Sequence, residues 1–244
     1  MAASPYQRLP RQLVIANRVL AHYGVLDAFG HVSIRHPEHP EHYVMSRSRA
    51  PMLVVEDDFQ TYDLEGKELN GDTRRPYGER FIHAGIYEAR PEVQVVCHNH
   101  SPSTIPFGVT DVKMRPIFHQ AGSIGSDIPV WDVADEFGDS TDMLVRNMAM
   151  ARSLARTLGP RRMSLMRGHG TVITGKTVPE VVFVAIFMER NAQLSLQAEL
   201  LARGNVHYLS EGETRATDAM NQEPLSSERS WEAWCAQVGL NEDD

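Results

Sequence analysis

The chain has 244 residues, of which 42% are hydrophobic and 23% charged; this is the balance of an ordinary globular protein, not of a disordered, collagen-like or membrane-embedded one. Its 24 Lys and Arg against 32 Asp and Glu leave a formal charge of −8, so it lacks the basic footprint that non-specific nucleic-acid binding requires. Cys97 and Cys235 have no CxxC spacing, which argues against a disulfide framework or a cysteine-built zinc site, and 11 histidines stand out instead.

One domain is expected over residues 1–244, with a peripheral segment at 1–10 and a polar, peripheral tail from about 214 to 244. The N-terminus shows no signal-peptide h-region, and no run reaches the ~18 apolar residues of a membrane span. A cytoplasmic location without membrane contact is therefore expected. Leu13, Ala16, Val19 and Leu20 share one face of a helix from about Arg11 to Tyr23, stopped by Gly24. Phe29 to Arg35 reads as a glycine turn followed by an alternating strand. The loop from His36 to His42 is rich in proline and histidine, and His36, His39 and His42 are expected to be solvated. Tyr43 to Ser46 is a partner strand, and residues 52–69 continue as an antiparallel meander.

Tyr77 to Arg90 reads as a second helix ended by Pro91, with His83 as a packing residue. Val93 to Cys97 is a short buried strand running into His98-Asn99-His100, and a short strand lies around Ile128 to Val130. Thr141 to Leu158 is expected to be one helix, with Met143, Leu144, Met148, Ala151, Leu154 and Ala155 facing inward. Arg162 to Met166 is a strand ending at Arg167-Gly168-His169-Gly170, and Thr171 to Thr174 is read as its continuation. Pro179 to Ala202 is a long helix with proline in its first turn. Strands interleaved with long helices argue for an α/β layer structure.

His98 and His100 lie at i and i+2 of a strand, on one side and ~6.6 Å apart along the backbone. At that spacing two imidazoles can converge on one divalent ion. Cys97 points to the opposite face and is not read as a ligand. His169 is a candidate third ligand, since flanking glycines permit unusual backbone dihedrals and close approach. Glu79, at the start of the second helix, is the candidate carboxylate, as ligand or as acid/base. Any one of these motifs alone is weak; their joint placement at element ends is what carries the reading.

Glu79, then His98-x-His100 nineteen residues later, then a distant Arg-Gly-His-Gly, together with Gly30-His31-Val32-Ser33 and Asn99-His100-Ser101-Pro102, resembles the class II aldolase/adducin family. The resemblance covers about Arg11 to Glu213. It implies a three-layer α/β/α fold with a central, mainly antiparallel sheet. It also implies a divalent metal on His98, His100 and His169 with Glu79 beside it, and a homotetramer with sites near subunit interfaces.

Fold does not settle which chemistry is done. The Pro76-Tyr77-Gly78-Glu79-Arg80 run lacks the serine pair often seen in sugar-phosphate members, and position 31 is His rather than Asn. The Ser46-Arg47-Ser48-Arg49-Ala50-Pro51 run offers two arginine forks suited to carboxylates. These residues, with Glu79-Arg80-Phe81-Ile82-His83, are similar to the decarboxylase branch that acts on 3-hydroxy-2-methylpyridine-4,5-dicarboxylate and 3,4-dihydroxyphthalate. The expected function is a metal-dependent decarboxylase of a small anionic, hydroxy- or oxo-substituted aromatic, pyridine or dienoic di-acid, acting through a metal-stabilised enolate or carbanion. Manganese is expected ahead of zinc, cobalt or iron. Glu79 and His31 are the expected acid/base groups, and Ser33, Ser46, Arg47, Arg49 and Tyr208 the substrate-binding residues, with Tyr208 reaching a neighbouring subunit. The alternatives are an aldolase of a hydroxy-keto acid or sugar phosphate, and a non-catalytic adducin-like module. His119 remains open as a residue near the pocket.

Overall fold

The computed structural model describes residues 5–241, with side chains from residue 8. Seven strands form one sheet in the order β3-β2-β1-β4-β7-β6-β5. They are β1 (His31–Arg35), β2 (His42–Ser46), β3 (Phe59–Asp63), β4 (Val95–Asn99), β5 (Val130–Trp131), β6 (Met163–Met166) and β7 (Gly170–Gly175). Every pairing is antiparallel except β5 with β6. The resemblance's expectation of a mainly antiparallel central sheet therefore holds.

Side-chain alternation sorts the sheet into two faces. Val32, Val44, Val95 and Cys97 point into one core, which they share with α1 (Pro5–His22) and α6 (Val178–Ala202). Tyr43, Met45, Val96 and Val172 point into the other, packed on α2 (Arg80–Ala89) and α5 (Met148–Leu158). The result is a three-layer α/β/α structure. The parity of β1 and β4 puts His31, Ser33 and His98 on the α2 side, and in register His31 lies beside His98. Short helices α3 (Ile105–Gly108) and α4 (Val133–Phe137) complete the connections, and sequence periodicity did not reveal α4. Among the described residues no helix is long and apolar enough to cross a membrane.

Four expectations need correction. Residues 141–147 are not helical: Asn147 caps α5 by accepting the Met150 N–H, and Met143 sits at φ 66, outside helical backbone. Thr171 to Thr174 does not continue β6. The chain reverses at Gly168 (φ 61), and β7 returns antiparallel with Met166 opposite Gly170.

The tail is not peripheral throughout. It forms α7 (Glu211–Asn221) and α8 (Pro224–Gln237), and Trp231, Trp234 and Cys235 of α8 enter the α1/α6 core. The polar composition of this segment conceals three buried residues spaced to share one helix face. At the other end, residues 1–4 of the expected N-terminal segment lie outside the described residues, and Leu9 is buried.

Trp234 is 6% exposed. Trp234→Ala is expected to lower unfolding free energy by about 3–5 kcal/mol, the usual result of emptying a large aromatic site. Urea denaturation measures this, and a loss below about 1 kcal/mol would show α8 to be dispensable packing.

Candidate metal centre

Four side chains from four places in the chain converge at one end of the sheet. His98 is on β4 and His100 follows it, His169 lies in the β6–β7 turn, and Glu79 is the residue before α2. One ligand atom from each lies within 4.8 Å of every other. The turn that presents His169 depends on its flanking glycines for separate reasons. Gly168 needs its positive φ, and a Cβ on Gly170 would stand 2.1 Å from the Asn99 carbonyl oxygen.

Each imidazole is oriented through its Nδ1. His98 Nδ1 is 3.0 Å from the Thr171 carbonyl, His169 Nδ1 is 3.0 Å from the Met143 carbonyl, and His100 Nδ1 is 3.0 Å from Asp27 Oδ2. Carbonyls and carboxylates only accept, so each Nδ1 carries the hydrogen and each neutral ring has its lone pair on Nε2. Those lone pairs face one another. His98 Nε2 is 3.1 Å from His100 Nε2, and Glu79 Oε2 is 3.6 Å from His98 Nε2 and 3.5 Å from His169 Nε2. His169 Nε2 is buried without a hydrogen-bond partner. Two bare nitrogens and a carboxylate at such distances repel unless a cation lies among them. The donor set therefore fits a divalent metal, and the Nδ1 acceptors are the orienting partners such ligands usually have.

Electrostatics agree with that division of roles. Burial holds His98 well below the ordinary histidine range and therefore neutral. Burial opposes ionisation of Glu79, but its carboxyl lies below the usual carboxylate range, with the Val145 N–H donating to it. Glu79 Oε1 accepts from Val145 N at 2.9 Å, leaving Oε2 for the centre. The segment expected to form the first turns of a helix is thus a wall of the site: Met143 orients His169 and Val145 anchors Glu79.

The cluster opens into a cavity of about 710 Å³ lined by His31, Arg49, Arg75, Tyr77, Met143 and Arg146, among others. Of the five residues expected to bind substrate, only Arg49 lines it. Arg47 and Arg49 both point at one carboxylate, Asp58, at 2.7 and 2.8 Å. The sequence showed the two arginines but not the buried acid that neutralises them. Ser46 is fully buried at the end of β2, and Ser33 is buried under His31. Tyr208 donates to Glu199 at 2.6 Å and stacks under Arg115, away from this chain's cavity.

Among the described residues lining the cavity, Arg75 is the cation without a carboxylate partner, since Arg146 pairs with Asp142. Sequence reasoning passed over Arg75, although two consecutive arginines before Pro76-Tyr77-Gly78-Glu79 were a signal. It also passed over Asp27 as a partner of His100. Asp27 additionally accepts the Phe29 and Gly30 N–H groups, shaping the turn before His31. His83 is more than a packing residue: its two ring nitrogens lie 2.7 Å from His31 Nδ1 and 2.6 Å from Ser33 Oγ. His36 is buried rather than solvated, its Nδ1 accepting the Glu38 and His39 N–H groups at 3.2 Å. His119 is exposed and does not line the cavity.

Residues 11–196 match the family model for the class II aldolase and adducin N-terminal domain. The chain belongs to the class II aldolase and adducin family. It is 34% identical to the decarboxylase tropJ of Talaromyces stipitatus over 93% of both chains. It is 30% identical to 3,4-dihydroxyphthalate decarboxylase of Arthrobacter keyseri over 76% of both. In structure it is similar to L-fuculose 1-phosphate aldolase of Glaciozyma antarctica, with a TM-score of 0.78 and 23% identity over 98% of this chain and 92% of that one. Membership and these relatives make the class II aldolase/adducin protein an enzyme of the lyase class, of decarboxylase or aldolase type.

His98→Ala and His169→Ala are each expected to lower divalent-metal affinity at least ~100-fold, as loss of one of few ligands does, and Asp27→Asn ~10–100-fold. Equilibrium dialysis with metal analysis measures this. Affinity is expected to fall as pH drops, because protons then compete with the metal for the ligand atoms. Full metal content in the His98→Ala/His169→Ala double variant would refute the assigned ligand set.

Proposed function

We propose that this enzyme is a metal-dependent carboxy-lyase acting on a compact di-acid with a hydroxyl or oxo group beside the carboxylate that leaves. The observation that carries the reading is the set of converging lone pairs on His98, His100 and His169, which calls for a cation, placed in one cavity with Arg75. The two sequence relatives, both known as decarboxylases, support the same reaction class.

His98, His100, His169 and Glu79 would hold the divalent ion. Three nitrogens and a carboxylate suit several metals, and an oxygen-chelating substrate favours manganese ahead of zinc, cobalt or iron. When bound, such an ion supplies Lewis acidity toward the electron pair that departing CO₂ leaves on carbon. Arg75, with Arg49 beside it, takes the substrate's carboxylates by paired hydrogen bonds and fixes which C–C bond is presented. Arg47 and Ser46 act from behind: Asp58 ties Arg47 to Arg49, and Ser46 ends β2 just before the loop that carries both arginines. Glu79 and His31 are the groups that handle protons, directly or through water, as the carbanion carbon gains its hydrogen. The exposed Leu200 and Leu201, at 82% and 87%, give α6 an apolar end that suits a homo-oligomer, which we take to be a tetramer of single-domain chains.

Metal-loaded protein given a panel of ortho-hydroxy di-acids and sugar phosphates is expected to release CO₂ from the former. Aldehyde without CO₂ would replace this reading with an aldolase, and absence of both turnover and bound metal would favour a binding module. Arg75→Ala is expected to raise KM for the di-acid roughly tenfold with kcat little changed, the signature of lost uniform binding. An unchanged KM would remove Arg75 from the substrate site.

A further inference from the structure

One buried polar chain takes no part in the metal cluster. It starts at His31 on the cavity wall and runs inward under the sheet. His31 Nδ1 lies 2.7 Å from His83 Nε2, His83 Nδ1 lies 2.6 Å from Ser33 Oγ, and Ser33 Oγ lies 2.8 Å from the Tyr87 hydroxyl. The Tyr87 hydroxyl then reaches the Gln94 carbonyl at 3.3 Å. All four side chains are 1% exposed or less. Unpaired polar atoms are costly at that depth, so the direction of the bonds matters.

The far end sets the direction, because a carbonyl can only accept. Tyr87 donates to Gln94, Ser33 donates to Tyr87, His83 donates from Nδ1 to Ser33, and His31 donates from Nδ1 to His83 Nε2. In the opposite direction Tyr87 would spend its one proton on Ser33 and lose the Gln94 contact. The direction that uses all four contacts leaves His31 with its hydrogen on Nδ1 and its lone pair on Nε2. That Nε2 has no hydrogen-bond partner among the described residues, and His31 lines the cavity.

We propose that His83, Ser33 and Tyr87 are positioning residues that lock His31 in its Nδ1–H tautomer, so that Nε2 accepts a hydrogen bond from a free hydroxyl on the substrate. This rests on the hydroxy di-acid reading and narrows it: the ligand class is a carboxylic acid whose neighbouring hydroxyl still has its hydrogen, and the corresponding ethers are rejected. Ser33 then acts through His31 and does not touch substrate.

The test uses zinc-loaded protein labelled with ¹⁵N in histidine, with the His31 signals assigned by their loss in His31→Gln. The expected wild-type spectrum shows a protonated Nδ1 and a bare Nε2 on His31, with no substitution needed. In Tyr87→Phe the Ser33 hydroxyl loses its acceptor and turns to His83, the chain reverses, and His31 is expected to carry its hydrogen on Nε2. Titration with salicylate and with 2-methoxybenzoate gives a second readout. Wild type is expected to favour the hydroxyl compound over the ether roughly tenfold more than Tyr87→Phe does, the worth of one hydrogen bond. Any preference due to the metal is common to both proteins and cancels. Ser33→Ala, which cuts the chain at its middle, is expected to leave His31 in a mixture of tautomers. A hydrogen on His31 Nε2 in wild type, or the same tautomer in all three proteins, would overturn the proposal. CO₂ release with an unchanged tautomer would sink the relay alone. The expected tautomers without CO₂ release from any hydroxy di-acid would sink the decarboxylase reading and leave the relay standing.

Discussion

Three imidazoles and a carboxylate turn their lone pairs toward one another, and the rest of this end of the molecule is arranged around that conflict. Each ring could relieve the repulsion by rotating or changing tautomer. None is free to do so, because Thr171, Met143 and Asp27 each hold an Nδ1–H. The acceptors come from β7, the loop before α5 and the turn before β1. Strand register, loop path and turn geometry therefore all serve to keep four donors aimed at one point, which is the preorganisation a metal centre needs.

The cavity beside that point is governed by local rather than global charge. A chain of net charge −8 does not draw anions by its overall field. Arg47 and Arg49 share Asp58, so they contribute less positive charge than their number implies. Burial opposes the ionisation of Asp58, but the Val55 N–H and the two guanidinium groups hold its carboxyl below the usual carboxylate range. Their pairing therefore stabilises the fold above that range and weakens as pH falls through it. Arg75, exposed and without such a partner among the described residues, remains to meet an incoming carboxylate. A second buried device, from His31 to Tyr87, is kept uncharged by burial, which pushes His83 down to about 3 and His31 well below its ordinary range. Cation-binding and neutral hydrogen-bonding groups thus lie side by side on one face of the sheet.

Much of this was legible in the residues. An H-x-H pair on a strand puts both rings on one side whatever the fold, and Gly-His-Gly announces a turn that only glycine backbone tolerates. Those local rules named His98, His100, His169 and Glu79, and the resemblance they carried named the layered fold. Local rules failed where a longer-range partner decided the outcome. Residues 141–147 have a helix-compatible pattern, yet their backbone is needed by His169 and Glu79 and takes up a loop instead. Thr171 to Thr174 looked like more of one strand because the reversal at Gly168 leaves no mark in hydrophobic periodicity. Trp231 and Trp234 sat in a segment polar enough to seem peripheral.

The sequence by itself determined the chemistry available, because ligand type and strand parity are local properties: which histidines could share an ion, which carboxylate accompanied them, and which family the chain joins. Only the tertiary structure decided how those groups are set against one another. It placed Asp58 under Arg47 and Arg49, left Arg75 open, gave Asp27 to His100, and strung His83, Ser33 and Tyr87 behind His31. Each of these is a contact between residues distant along the chain or on different elements. Such contacts depend on sheet order and loop path, and the pattern of residue types does not encode them until the chain has folded.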